Sequence, residues 1–166
     1  AFPLEIVRQV RAAVGKEFIL IFRLSLTDLI PNGSTWEEVV LLAKNLESEG
    51  INIINSGIGW HEARVPTIAT QVPRGTFTWL TAELRKELDI PIIATNRINM
   101  PEEAESIIAK GQADMISMAR PFLADPAWPL KAKQGRVDEI NTCIACNQAC
   151  LDHVFEGKPA GCLVNP

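Results

Sequence analysis

Residues 18–24 read Phe-Ile-Leu-Ile-Phe-Arg-Leu, a short and almost unbroken apolar run that carries a single arginine. Similar runs follow at 51–56, 91–95 and 114–119, each succeeded by a polar turn and an amphipathic segment. Runs so continuous in Ile, Leu, Met and Ala are expected of parallel strands covered on both faces, not of half-exposed antiparallel ones.

The segments between them carry helix punctuation. Ser34 and Glu37 have capping-box spacing, Trp36, Val39, Val40, Ala43 and Leu46 form one apolar stripe, and Gly50 stands where the helix would stop. A helix opening at Pro101, with Glu102 and Glu103 in its first turn, is expected to bury Ala104, Ile107 and Ile108 and to end at Gly111. Residues 77–88 stack Leu80, Leu84 and Leu88, and residues 3–14 place Ile6, Val10 and Val14 on one helical face ahead of Gly15. After Arg120 the text becomes a loop and a short helix, then a cysteine-rich tail.

The order is therefore α, three βα units, a fourth β and a tail, an α/β pattern that two architectures satisfy. One is a small open, doubly wound sheet. The other is four consecutive units of a (β/α)8 TIM barrel, which when whole takes about 250 residues. The barrel reading requires the chain to be a piece, and a first residue other than Met and an ending just past the last cysteine make truncation the expectation.

Composition narrows the function. With 166 residues, 47% apolar and 22% charged, the chain has the usage of a folded globule, which excludes disorder and collagen. No apolar run exceeds about five residues, far short of the roughly 18 of a membrane span. No basic segment precedes an apolar stretch at the start, so a cytoplasmic location is expected and a membrane partner is not. Sixteen Lys and Arg against twenty Asp and Glu give −4 with no basic block, so nucleic acid is not an expected partner either.

Chemistry gathers where the runs end. Arg23 closes FILIF, where a guanidinium near the sheet interior requires an anionic ligand or an ion pair with a carboxylate such as Asp28. Arg97 and Arg120 end the last two runs, an arrangement like the phosphate site that barrels build after strands seven and eight, although structural pairing would also explain it. His61, in SGIGWHEAR, follows the second run and has the chemistry of a proton donor near neutral pH. Gly57 and Gly59 lack the third glycine of a dinucleotide fingerprint. Cys143, Cys146, Cys150 and Cys162 are spaced C-x2-C-x3-C-x11-C, so that short loops bring three thiols together and a fourth returns from farther on. In a reducing compartment this means metal, either zinc or an iron–sulfur cluster, with His153 the less favoured neighbour.

Taken together, FRLSLTDLI, INSGIGWHEARVPTIAT, VPRGTFTW, TNRIN, ADMISMARPFLADP, EINTCIACNQACLD and GKPAGCLVNP resemble the bacterial NADPH-dependent 2,4-dienoyl-CoA reductases, a family within the old yellow enzyme group. The resemblance runs over essentially the whole chain. It implies the C-terminal half of an FMN-binding barrel, strands five to eight, over residues 1–137, followed by a truncated iron–sulfur segment over 138–166. It implies that Arg23 sits by the flavin pyrimidine edge, that Arg97, Ala119 and Arg120 belong to the FMN phosphate end, and that the four cysteines ligate a [4Fe–4S] cluster. His61 would assist protonation in the substrate site, lined also by Glu62, Ala63, Arg64 and Arg74. NADPH and FAD would bind in C-terminal domains absent from this chain, electrons passing from FAD through the cluster to FMN and on to an acyl-CoA. The sequence contains no tyrosine, so the family's tyrosine proton donor is expected in the missing remainder, and the 166 residues alone are expected to be inactive. The alternatives are a related reductase of another enone, an amine dehydrogenase, and a non-catalytic zinc-binding α/β module.

Overall fold

Strands β1 (Ile21–Thr27), β2 (Ile53–Ile58), β3 (Ile92–Ala94) and β4 (Met115–Ile116) lie side by side in chain order, all parallel. The computed structural model describes residues 2–60 and 63–165, so His61 and Glu62 lie outside the described residues. Helices α1 (Phe2–Val14), α2 (Trp36–Ser48), α3 (Thr78–Leu84) and α4 (Pro101–Ala109) surround and connect the strands. After β4 come α5 (Arg120–Ala124), α6 (Trp128–Lys133), a 3-10 turn at Val137–Glu139, a π turn at Gln148–Asp152 and α7 (His153–Phe155). Among the described residues no helix is long and apolar enough to cross a membrane.

Alternation along the strands decides which face is filled. Leu24, Leu26, Ile54, Ile58 and Ile92 meet Val39, Ala43 and Leu46 of α2 and Leu80 and Leu84 of α3 in one buried core. The opposite row runs Arg23–Asn55–Ile93–Met115 across the sheet. On that face Ile21 and Met115 remain 54% and 37% exposed. The expectation of strands covered on both faces is therefore corrected. Successive crossovers share one hand and deliver their helices to one side of an in-order sheet, and the described residues cover the other only in part, with Ile93 buried at its centre.

Element boundaries move for identifiable reasons. The capping box of α2 is Thr35 with Glu38, one residue later than Ser34 with Glu37, because the Asp28 carboxylate takes the Ser34 N–H and ties it to the preceding turn. β1 begins three residues later than its apolar run and extends through Ser25 and Thr27, whose polar side chains lie on the less covered face. α3 stops at Leu84 instead of 88, where the chain tightens so that Glu87 N–H donates to Leu84. β4 contracts to two residues, its neighbour Asp114 held by Arg85 and by the Ile92 N–H. Ile108 of α4, expected inside, is 38% exposed, and the α1 stripe Ile6, Val10, Val14 faces outward while Val7 is the buried residue.

The 138–166 segment folds back over the C-terminal ends of the strands. Asp125 accepts the Asn141 N–H, Thr70 donates to the Ile144 carbonyl at 2.8 Å, and the Asn165 amide donates to the Leu123 carbonyl at 3.0 Å.

Candidate functional site

Two adjoining cavities open at the C-terminal ends of the strands, the usual place for ligands in parallel α/β folds. The larger, about 570 Å³, is lined by Arg23, Gly57, Trp60, Ala63, Asn96 and Phe155, among others. That volume is typical of small-molecule sites. The smaller, about 140 Å³, is lined by Arg23, Asn96, Arg97, Ser117, Ala119 and Arg120, among others, with Arg23, Ile68 and Asn96 common to both.

Arg97 is the unusual member. It follows β3 with a left-handed backbone, φ 57°, as does Asn96 at 71°. Its side chain is 8% exposed, yet its acceptors are neutral, the Val72 carbonyl at 2.9 Å and the Asn99 amide oxygen at 3.1 Å. The nearby carboxylate of Glu103 is committed to Arg74 and to the Asn99 and Met100 N–H groups. Burial first, then the like charges of Arg74 and Arg120, push the Arg97 guanidinium below its usual value. A buried cation facing a cavity without a bonded carboxylate is suited to an anion brought by a ligand.

Arg120 borders the smaller cavity from the start of α5 and donates to the Asn147 side chain at 2.5 Å. Arg23 departs from its expected setting. It lies within β1 instead of at its end, is exposed because its side chain is on the less covered face of the sheet, and does not pair with Asp28, which accepts from Ser25 and Ser34. It still reaches both cavities.

Of the substrate-site residues read from the sequence, Ala63 lines the larger cavity. Its N–H donates to the Trp60 carbonyl at 3.0 Å, so residues on both sides of the undescribed pair 61–62 face that space. Arg64 is exposed and lines neither cavity, and Arg74 is drawn off into its salt bridge with Glu103 at 2.8 Å. Asn96, Asn99 and Asn147 are functional candidates that motif reading missed. The clue was asparagine, which tolerates positive φ, recurring in TNRIN and between the cysteines.

Cys143, Cys146, Cys150 and Cys162 line one common, mostly apolar cavity with Arg120, Leu123 and Ile144. All four are free thiols, Cys143 buried and the rest partly so. Among the described residues no three His, Cys, Asp or Glu side chains are placed to hold a single metal ion. Four thiols lining one cavity supply the donor type that a thiolate-held centre requires. His153 stands outside this cavity, near the Pro159 carbonyl at 3.2 Å.

Residues 1–139 match the family described as NADH:flavin oxidoreductase / NADH oxidase. The chain is 46% identical over 164 residues to a metal reductase of Desulforamulus reducens, covering 99% of this chain and 25% of that protein. It is 40% identical over 168 residues to an NADH oxidase of Thermoanaerobacter brockii, covering 99% and 26%. A solved 2-naphthoyl-CoA reductase in complex with 2-naphthoyl-CoA aligns at a TM-score of 0.97 and 38% identity, covering 99% of this chain and 25% of that one. The chain thus spans about a quarter of the length of these relatives.

Proposed function

This chain belongs to the NADH:flavin oxidoreductase / NADH oxidase family, whose members are FMN-dependent oxidoreductases, and from that premise we propose a specific role. It is the FMN-holding half-barrel and iron–sulfur segment of a longer reductase of conjugated acyl-CoA thioesters, with a 2,4-dienoyl-CoA as substrate. The half-barrel reading is supported by four in-order parallel strands whose core lies on one face while Ile21 and Met115 on the other stay exposed.

The observation that carries the flavin reading is the buried Arg97 facing a small cavity with only neutral partners. Arg97, Arg120 and the chain at Ala119 would hold the FMN phosphate, and Arg23 would stand beside the ring. FMN bound there would supply hydride chemistry. The chain's own contributions are then distinct. Arg23 offers positive charge where negative charge develops, and a preplaced cation stabilises that charge without reorganisation. Trp60, Ala63, Val65 and Pro66 wall the larger cavity and would line the substrate there. His61 is the proposed proton donor, flanked by cavity-lining residues on both sides.

The four cysteines would hold a [4Fe–4S] cluster, which would supply single-electron exchange, while FAD and NADPH would bind beyond this chain. The acyl-CoA preference is supported by the naphthoyl-CoA-binding structure at a TM-score of 0.97. The test is anaerobic mixing of the reduced full-length enzyme with a 2,4-dienoyl-CoA and, separately, of the oxidised enzyme with a secondary amine. Rapid flavin reoxidation by the thioester is expected. Indifference to the thioester, with reduction of the oxidised flavin by the amine, would turn the assignment to an amine dehydrogenase.

A further inference from the structure

Arg120 lines both the cysteine cavity and the 140 Å³ cavity, and the same two regions meet a second time through Asn99. Asn99 is 3% exposed. Its side-chain oxygen accepts from Arg97 at 3.1 Å and its side-chain nitrogen donates to the Cys143 carbonyl at 2.7 Å. Its backbone N–H donates to Glu103 at 2.9 Å and its carbonyl accepts from the Trp128 indole at 3.0 Å. With backbone and amide both engaged, the side chain cannot turn over without losing a buried bond at each end.

The second bridge is Asn147, between Cys146 and Cys150, with a left-handed backbone at φ 66°. Its side-chain oxygen accepts from Arg120 at 2.5 Å. Ala145, two residues earlier, is also left-handed at φ 57°. Asparagine adopts such a backbone readily, but at Ala145 it is held by the surroundings and not by local preference. Whatever closes the four thiols on a common centre therefore also sets the Cys143 carbonyl, which fixes Asn99 and through it the acceptor of Arg97, and the Asn147 amide oxygen, which accepts from Arg120 directly.

We propose that Asn99 and Asn147 are positioning residues that couple filling of the cysteine cavity to the grip of Arg97 and Arg120 on a phosphate. This rests on the flavin and metal reading above and extends it. A filled cavity holds both arginines turned toward the anion site, and an empty one releases the loop and, with it, their alignment.

The experiment measures FMN and riboflavin affinities of the full-length protein, as isolated and after its bound metal is removed by a chelator. Riboflavin lacks the phosphate, so the ratio of the two affinities isolates the grip. Metal removal is expected to weaken FMN roughly tenfold, within the usual span of site-to-site coupling, with little change for riboflavin. In Asn147→Gly, which keeps the left-handed backbone at no steric cost, and in Asn99→Ala, that dependence should shrink toward onefold. A purely structural role would weaken both flavins together. An unchanged ratio on metal removal overturns the coupling, and so does a full tenfold response retained in Asn147→Gly, even where Asn99→Ala does not fold. Failure of either flavin to bind the untreated protein would instead remove the flavin reading, and this proposal with it.

Discussion

The Asp125 carboxylate accepts from the Lys131 ammonium at 2.6 Å and, at 3.0 Å each, from the backbone N–H groups of Ala127 and Asn141. Lys131 also reaches the Glu139 carbonyl at 2.8 Å. One buried carboxylate thus anchors the stretch that leads into the cysteines.

That anchor responds to acid. The Lys131 hydrogen bond, opposed by burial and supported by the Asn141 and Ala127 donors, holds the Asp125 carboxyl below the usual carboxylate range. A folded-state value below the unfolded value near 3.9 means the stabilisation is complete above about pH 4 and is lost as pH falls through the folded value. Amide exchange across residues 139–146 should stay slow down to about pH 4 and accelerate below it. In Asp125→Asn it should be fast already at neutral pH. Equal protection in both proteins at pH 7 would contradict the anchor.

Replacing Arg97 with Gln should cost FMN binding about 2 kcal/mol, roughly thirtyfold, the scale of a charge-assisted hydrogen bond, and cost riboflavin much less. Arg97→Lys should recover only part of the loss, because an ammonium does not reproduce the guanidinium fork. Fluorescence titration with the two flavins checks both statements.

Gly59 and Gly15 have nearly the same backbone, φ +76° and +77°, and differ in surroundings. A Cβ at Gly59 would come within 2.7 Å of the Thr67 methyl, whereas one at Gly15 meets nothing within 4 Å. Gly15→Ala should cost about 1 kcal/mol from backbone strain alone. Gly59→Ala should cost more and shift the 63–68 loop, lowering the melting temperature by several degrees beyond the Gly15 variant. Equal melting temperatures would show that the loop yields freely.

Ile54 is fully buried, while Ile108, apolar and equally suited to a core by pattern, is 38% exposed. Ile54→Ala should destabilise by about 2–5 kcal/mol and Ile108→Ala by about 1 kcal/mol or less. Urea unfolding of the two variants checks the contrast.

On the cluster proposed above, Cys146→Ser in the full-length protein should abolish iron–sulfur absorbance and iron content, yet leave flavin bound at saturating concentration. Retained iron at wild-type stoichiometry would exclude Cys146 as a ligand.

Much of this was legible before any coordinates. Glycines at 15, 50 and 111 marked helix ends because a left-handed residue is needed there, and all three have positive φ. The α2 stripe was right because a 3.6-residue period can bury only one face, and Val39, Ala43 and Leu46 occupy it. The cysteine spacing correctly drew attention to four thiols that share a cavity. What failed was which apolar face turned inward. Ile6, Val10 and Val14 make as good a stripe as any, but periodicity states that a face exists and not what it meets.

The same division holds at the site. Residue order determined the α/β alternation, the strands and the placing of Arg97 and Arg120 after β3 and β4, because strand, turn and helix signals are local and repeat in register. Only the tertiary arrangement decided that Arg97 would be buried without a bonded carboxylate and Arg23 exposed, since burial depends on what packs over each face of the sheet and each strand end. It likewise decided that Asn99 would touch both Arg97 and Cys143, because Cys143 stands 44 residues farther along the chain and no local signal spans that distance.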